Sequence, residues 1–231
     1  MSKPKLEKFA ELNTFPNVLQ NISFSEPALF DCNNQRRDFK GRWSRDFFKS
    51  DNPLVLELAC GKGDYTVEMA KFYPEKNFIG IDLKGSRIWT GAKKALELGL
   101  KNAAFARTRI EYLPDFFAEG EVSEIWITFP DPYLKRSKTD KRLTSPVFLE
   151  KYRKICGSSA LIHLKTDDPV LFGYSKEVAG EPPNKVLEAV ENIYKNGEPP
   201  PPLSIKTYYE KMHLEEGRTI RYLKFQIHRQ A

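Results

Sequence analysis

The chain has 231 residues, of which 40% are hydrophobic and 13% aromatic, and its formal net charge is +6. These values predict a globular protein with a sizeable core and exclude a largely disordered chain. No apolar run approaches the ~20 residues of a membrane-spanning helix, and residues 1–12 lack the apolar stretch of a secretory signal. We therefore expect a cytoplasmic protein with no membrane partner.

The cysteines and histidines do not form a metal-binding pattern. Cys32, Cys60 and Cys156 are scattered, with no CxxC pair and no histidine grouped with them. This spacing predicts reduced thiols, without a disulfide framework or a structural zinc site. His163 lies inside an apolar run and is interpreted as a core residue.

The first 50 residues are polar and irregular. They hold five cations around Trp43, which are Arg36, Arg37, Lys40, Arg42 and Arg45. We predict a loosely ordered basic arm over residues 1–50, followed by a single domain over residues 51–231.

From residue 54 onward, short apolar runs alternate with helical patterns. Buried strands are predicted at 54–58, 78–83, 102–106, 125–129 and 160–165. Helices are predicted at 65–72, 88–98, 147–155, 170–178 and 185–194, and two β-like stretches follow at 204–209 and 219–228. The alternation predicts an α/β fold with a mainly parallel seven-stranded sheet and helices on both faces. The two closing strands, with no long helix between them, predict an antiparallel C-terminal edge.

A glycine turn follows the first predicted strand. The segment Glu57–Gly63 reads E-L-A-C-G-K-G, and Asp82 ends the second strand. Gly61 and Gly63 let the backbone approach a ligand, and a carboxylate at Asp82 can accept hydrogen bonds from ribose hydroxyls. Glycine turns are common in α/β proteins and are a weak signal alone. The ligand-site interpretation therefore depends on the presence of Asp82 at the end of the next strand. A dinucleotide site would need a third glycine where Thr66 stands.

A second chemical loop closes the fourth predicted strand. Phe129–Tyr133 reads F-P-D-P-Y, and its prolines fix the direction of Asp131. Five of the next eight residues, 135–142, are cationic. Such a run of cations is often only a solvent-exposed surface. Beside a reaction loop, however, the cations could contact the phosphates of a polyanionic substrate. Tyr133 could stack on a base of that substrate.

The glycine turn resembles the first motif of class I S-adenosylmethionine-dependent methyltransferases, with Ala59 in place of the first glycine. That resemblance implies a Rossmann-like fold and S-adenosylmethionine as cofactor. It places Glu57 and Gly61 at the methionine end of the cofactor and Asp82 at the ribose.

The reaction loop and its basic run resemble the signature of bacterial tRNA (guanine-N7-)-methyltransferases. The matching stretch is F-P-D-P-Y-L-K-R-S-K-T-D-K-R-L-T, with Tyr133 where that family usually has Trp. Lys40–Trp43, Leu164–Asp167 and Thr207–Glu210 match further family motifs in the same order. The resemblance runs from about residue 38 to near the C-terminus.

This closer resemblance implies methyl transfer to N7 of guanosine 46 in the variable loop of tRNA. It makes Asp131 the active-site acid, also close to the cofactor. It implies RNA contacts from Lys135, Asp167, Thr207, Tyr208, Tyr209 and Glu210. Arg109 aligns with an acid that the family commonly has beside the adenine, and Glu111 is a possible substitute. The implied partner is tRNA, with no metal, and the protein is expected to be a monomer or a homodimer.

Two other readings stay open from the residues. The reaction loop is superficially similar to the D/N-P-P-Y/F loop of methyltransferases that modify an exocyclic amine, such as adenine N6, although the order of Pro and Asp differs. The second is a catalytically silent methyltransferase fold that only binds RNA. The joint presence of Glu57, Gly61, Asp82 and Asp131 argues against that second reading.

Overall fold

The computed structural model describes residues 3–21, 23 and 25–228. The chain divides into two compact units, Met1–Ala118 and Glu119–Ala231. No helix within the described ranges is long and apolar enough to cross a membrane.

The first unit is a mixed sheet with four helices. Its elements in chain order are α1 (Lys5–Leu12), β1 (Val18–Gln20), β2 (Leu29–Phe30), β3 (Arg36–Arg37), a π-helical turn (Trp43–Phe48), β4 (Leu54–Leu58), α2 (Asp64–Phe72), β5 (Asn77–Asp82), α3 (Gly85–Glu97), β6 (Ala103–Arg107), a 3-10 turn (Ile110–Tyr112) and α4 (Leu113–Phe116). The strand order in this unit is β3-β2-β1-β6-β5-β4. Strands β1, β6, β5 and β4 run parallel, and β2 and β3 are antiparallel additions.

Residue pattern explains the central elements of this unit. All five residues of β4 are buried, as expected for a parallel strand covered on its faces. In α3 the buried residues Gly85, Ile88, Ala92 and Ala95 recur at helical spacing. That stripe packs α3 against β5, β6 and α1.

The N-terminal region is more ordered than predicted. Trp43 is only 1% exposed, stacks on Phe117 with ring centroids 5.3 Å apart, and donates from Nε1 to the Phe116 carbonyl at 2.8 Å. Lys40 Nζ donates to the Pro114 carbonyl at 2.6 Å. The predicted loose order therefore does not describe Lys40 and Trp43, and the division of the chain at residue 50 stays a prediction. The assignment of 51–231 to a single domain stays a prediction.

The second unit carries four strands. Its elements are β7 (Val122–Thr128), a 3-10 segment (Arg136–Lys141), α5 (Pro146–Arg153), β8 (Cys156–Thr166), α6 (Pro169–Gly180), β9 (Lys185–Val190), α7 (Tyr208–Glu215) and β10 (Arg221–Gln226). The order is β7-β8-β10-β9, with β7 and β8 parallel and the other pairs antiparallel. The predicted antiparallel C-terminal edge is confirmed.

Two predicted elements have the wrong type, and the strand count differs. Residues 185–190 form strand β9, where a helix was predicted, because they pair with β10. Residues 204–207 are turn and loop, and helix α7 begins at Tyr208, where a strand was predicted. The described residues hold ten strands where seven were predicted, because β1, β2 and β3 are added at the N-terminus.

His163 is a core residue, as predicted. It is 4% exposed, its Nδ1 lies 2.7 Å from the Tyr222 hydroxyl, and its ring stacks on Trp126 at 4.0 Å.

The three cysteines are free thiols, and burial raises the pKa of Cys156 to about 12. Among the described residues, no group of three His, Cys, Asp or Glu side chains is arranged to hold a metal ion.

Candidate active site

The glycine turn and Asp82 meet at the carboxyl ends of two parallel strands. Gly61 N–H donates to Asp82 Oδ2 at 2.9 Å, and Lys84 N–H donates to Asp82 Oδ1 at 2.7 Å. Ala59, Gly61 and Gly63 all have left-handed backbone, with φ of 56°, 56° and 71°. The structure thus brings Gly61 and Asp82 together at the edge where open α/β sheets bind ligands.

Glu57 supports the turn from beneath. Its Oε2 accepts from the Thr66 backbone N–H at 2.8 Å and from the Thr66 hydroxyl at 2.5 Å. Thr66 is the third residue of α2, so the carboxylate satisfies a donor that the helix itself leaves unpaired. Glu57 is 4% exposed, and its two hydrogen bonds to Thr66 fix where the glycine turn joins α2.

Close packing leaves no room for a side chain at Gly63. A Cβ on Gly63 would lie 2.5 Å from Phe105 Cε1 and 3.2 Å from the Gly91 backbone. Because Gly63 is also the N-cap of α2 and has no side chain, the cap comes from Glu57 instead. This division of roles between Gly63 and Glu57 could not be predicted from the sequence.

Arg109 lies in the turn that follows the end of β6. Thr108 N–H donates to the Asp82 carbonyl at 3.1 Å, which ties this turn to the end of β5. Arg109 and Glu111 are exposed, and Ile110 between them is half-buried. The turn that carries Arg109 and Glu111 therefore lies beside Asp82 at the end of β5.

In the second unit, the reaction loop, residues 129–133, is strained at both ends. Phe129 and Tyr133 have φ of 49° and 42°, a region that bulky residues avoid. Phe129 N–H donates to the Lys165 carbonyl at 2.8 Å, and Tyr133 N–H donates to Asp131 Oδ1 at 3.1 Å. Asp131 itself is exposed at the end of β7.

The basic run divides into two kinds of cation. Four of them are exposed on or beside the 3-10 segment, namely Lys135, Arg136, Lys138 and Lys141. Arg142 is 4% exposed and donates from Nε to the Pro132 carbonyl at 2.9 Å. Sequence reasoning treated Arg142 as one more phosphate contact and did not find this difference.

Asp167 is engaged by side chains that sequence reasoning did not find. Its Oδ2 accepts from Arg218 Nη1 at 2.7 Å, and its Oδ1 lies 3.6 Å from His213 Nε2. The His213 ring lies 5.6 Å from the Phe129 ring, centroid to centroid. His213 thus links Asp167 to the start of the reaction loop.

The Thr207–Glu210 segment is the first turn of α7. The Thr207 hydroxyl accepts from Glu210 N–H at 3.1 Å, as an N-cap does. Glu210 is fully buried, and its Oε2 accepts from Lys165 Nζ at 2.8 Å. Tyr208 is 50% exposed and Tyr209 half-buried. Only the two tyrosines of this predicted RNA-binding segment present side chains toward solvent.

Lys165 joins α7 to the reaction loop. Its Nζ also donates to the Leu203 and Ile205 carbonyls at 2.9 and 3.0 Å, while its own carbonyl holds Phe129. Burial lowers the pKa of Lys165, and the Glu210 carboxylate opposes that shift. The buried pair therefore positions two segments at the end of β8.

Comparison with known proteins gives consistent matches. Residues 51–223 match the protein family described as "Putative methyltransferase". The tRNA (guanine-N(7)-)-methyltransferase of Bacteroides fragilis YCH46 is 48% identical over 225 residues, which cover 97% of this chain and 86% of that protein. The protein of the same description from Christiangramia forsetii KT0803 is 47% identical, and the match covers 98% and 99% of the two chains.

Solved structures show the same fold at lower identity. The 16S rRNA methyltransferase KamB aligns with a TM-score of 0.61 and 16% identity, covering 84% of this chain and 97% of that one. At such identity the likeness concerns the fold alone. It confirms the predicted α/β fold of Rossmann-like methyltransferases.

Proposed function

Because the chain belongs to the tRNA (guanine-N(7)-)-methyltransferase family, we propose that it transfers a methyl group from S-adenosylmethionine to N7 of a guanosine in tRNA. The observation that carries this function is 47–48% identity to two such enzymes over 97–98% of this chain. The protein is therefore an enzyme with S-adenosylmethionine as cofactor and tRNA as substrate. The modified nucleotide is guanosine 46, in the variable loop.

The residues of the first unit fit this cofactor. S-adenosylmethionine supplies an electrophilic methyl group on a sulfonium centre. Each Asp82 oxygen accepts one backbone N–H and keeps acceptor capacity for a ribose hydroxyl. Gly61 and Glu57 form and support the turn under the methionine end, and the turn at Arg109 and Glu111 borders the adenine.

The methyl acceptor explains what the second unit must provide. Guanine N7 has a lone pair and no proton, so the transfer needs alignment and electrostatic stabilisation and no general base. Asp131 accepts one backbone N–H through Oδ1 and is exposed. Its carboxylate holds the N–H donors on the guanine edge and stabilises the positive charge that the base gains on methylation.

Different residues position the tRNA. Lys135 and its exposed neighbours bind phosphates, and Tyr133 stacks on a base. Tyr208 and Tyr209 present an aromatic surface at the first turn of α7, with ring centroids 5.5 Å apart. Thr207 and Glu210 hold that turn in place, and Asp167 contacts RNA when its pair with the exposed Arg218 opens.

The cellular location and assembly follow as further proposals. We place the enzyme in the cytoplasm, where its tRNA substrate is processed. We expect a monomer or a homodimer, which light scattering after size-exclusion chromatography distinguishes.

A labelled-methyl assay tests the function. The purified full chain is incubated with unmodified tRNA and S-adenosylmethionine carrying a labelled methyl group, and the nucleosides are then separated. We expect label in 7-methylguanosine, and none when guanosine 46 of the tRNA transcript is replaced by adenosine.

The other outcomes separate the parts of the proposal. Label in a methylated adenosine contradicts the guanine assignment and leaves the cofactor in place. Absence of transfer together with S-adenosylmethionine binding supports a silent RNA-binding fold. In Asp82→Ala we expect cofactor binding to be lost in a titration without tRNA. Asp115→Ala, exposed on α4, is the matched control and should bind the cofactor normally.

A further inference from the structure

One cation of the basic run is set apart by burial. Lys135, Arg136, Lys138 and Lys141 are exposed, whereas Arg142 is 4% exposed. A charged side chain this deeply buried needs hydrogen-bond partners, since burial removes its hydration. Its partners therefore indicate what it does.

Those partners belong to the reaction loop. Arg142 Nε donates to the Pro132 carbonyl at 2.9 Å, and Nη2 donates to the Tyr133 carbonyl at 3.3 Å. The guanidinium carbon lies 4.4 Å from the centre of the Tyr174 ring, on α6. The planar guanidinium thus bridges two consecutive carbonyls while one face packs on an aromatic ring.

The loop needs such a bridge because its backbone is strained. Phe129 and Tyr133 flank Asp131 in left-handed conformations, which persist only where the surroundings hold them. The Phe129 end is held by the Lys165 carbonyl. At the other end, the Asp131 carboxylate accepts from the Tyr133 N–H. Arg142 donates to the carbonyl of the same Pro132–Tyr133 peptide and to the next carbonyl, that of Tyr133.

We propose that Arg142 is a positioning residue for methyl transfer, which fixes the direction of Asp131 by bridging the Pro132 and Tyr133 carbonyls, and that it does not bind tRNA phosphate. This inference rests on the proposed function of the loop. It divides the basic run by role: the exposed cations bind the polyanion, and the buried one shapes the loop where chemistry occurs.

The two roles predict different kinetics. For Arg142→Ala and Arg142→Lys alike, we expect kcat to fall by about 100-fold, the size of effect that a small misplacement of reacting groups produces. The slope of log K for tRNA against log salt should stay at the wild-type value. A lysine keeps the charge but lacks the planar fork that reaches both carbonyls.

Lys141→Ala is the matched comparison, because it removes the same charge from the adjacent, exposed position. In Lys141→Ala the slope of log K for tRNA against log salt should fall in magnitude by about 1, as expected for one lost phosphate contact. A reduced slope in Arg142→Ala, with kcat retained by Arg142→Lys, would overturn the proposal and make Arg142 a phosphate contact.

Two readouts keep the test independent of folding defects and of the substrate assignment. Ethylguanidinium should restore part of the kcat of Arg142→Ala and ethylammonium should not, because only the former can bridge the two carbonyls. Hydrogen exchange at the Tyr133 amide should be faster in Arg142→Ala than in wild type, whatever nucleoside the enzyme methylates. Unchanged exchange at Tyr133, with no rescue, contradicts the inference. Tyr174→Leu, which removes only the ring under the guanidinium, should show a smaller fall in kcat of the same kind.

Discussion

In the proposed mechanism, Asp131 is the side chain on which methyl transfer depends most directly. It is exposed at the end of β7, and its Oδ1 accepts the Tyr133 N–H. We predict that Asp131→Asn lowers kcat by about 100-fold, because an amide keeps the loop hydrogen bond but not the negative charge opposite the methylated base. Single-turnover methylation with saturating cofactor measures this step.

A matched acid elsewhere controls for the loss of one charge. Asp115 is exposed on α4 of the first unit and has no role in the proposed site. Asp115→Asn should retain wild-type turnover. Equal activity in Asp131→Asn and wild type would mean that Asp131 acts by loop structure alone.

Site residues at strand ends could be predicted from the sequence, and buried partners could not. Asp82 and Asp131 follow continuous apolar runs, so periodicity places them at the ligand-binding edge. Arg142 and His213 look like ordinary surface residues in the sequence. The contact of His213 with Asp167 arises only when distant segments pack, and the contact of Arg142 with Pro132 depends on how the chain folds back over ten residues.

At the scale of elements, β9 and α7 show where local preference misleads. The sequence of β9, K-V-L-E-A-V, contains good helix formers with apolar residues at helical spacing, but pairing with β10 makes it an edge strand. The stretch 204–209, where a strand was predicted, is rich in β-branched and aromatic residues. Yet Thr207 followed three residues later by Glu210 is a helix-start signature, which was present in the sequence.

The buried pair that holds α7 gives a prediction on stability. Lys165 and Glu210 are both fully buried, and Glu210 Oε1 also accepts from the Tyr194 hydroxyl at 2.8 Å. We predict that Glu210→Gln lowers the free energy of unfolding by about 3–5 kcal/mol, because it leaves a buried ammonium without its counter-charge. Urea denaturation followed by circular dichroism measures the change.

The same helix supplies the control, and a double replacement supplies the contrast. Lys211→Gln, exposed at the next position, should change the stability by less than about 0.5 kcal/mol. Replacing Lys165 by Met together with Glu210 by Leu should recover only part of the loss, because it removes the unpaired charge but leaves the Leu203 and Ile205 carbonyls and the Tyr194 hydroxyl without these partners. If that double variant is stable and still binds tRNA normally, Glu210 only positions the segment, whereas weakened binding by a stable variant would favour a direct RNA contact.

At the scale of the whole molecule, the chain is basic, but its net charge of +6 does not say where a polyanion binds. Many cations are already engaged within the protein, such as Arg37 with Asp31 at 2.6 Å and Arg153 with the His228 carbonyl at 2.9 Å. The described N-terminal region likewise uses Lys40 in a backbone contact. The net charge therefore permits a nucleic-acid partner without identifying one, and the structure separates the exposed cations from those with structural roles.

The salt dependence of tRNA binding tests that separation. Lys135 is exposed directly after the reaction loop, whereas Lys154 is exposed at the end of α5, beside the amino end of β8 and thus at the edge of the sheet opposite the loop. We predict that Lys135→Ala weakens tRNA binding and reduces the slope of log K against log salt by about 1, because one fewer phosphate is neutralised. Lys154→Ala removes the same charge and should leave the slope unchanged, as measured by filter binding from low to high salt. Equal slopes in the two variants would show that the basic run acts only through net charge, and different slopes locate the phosphate contacts beside Asp131.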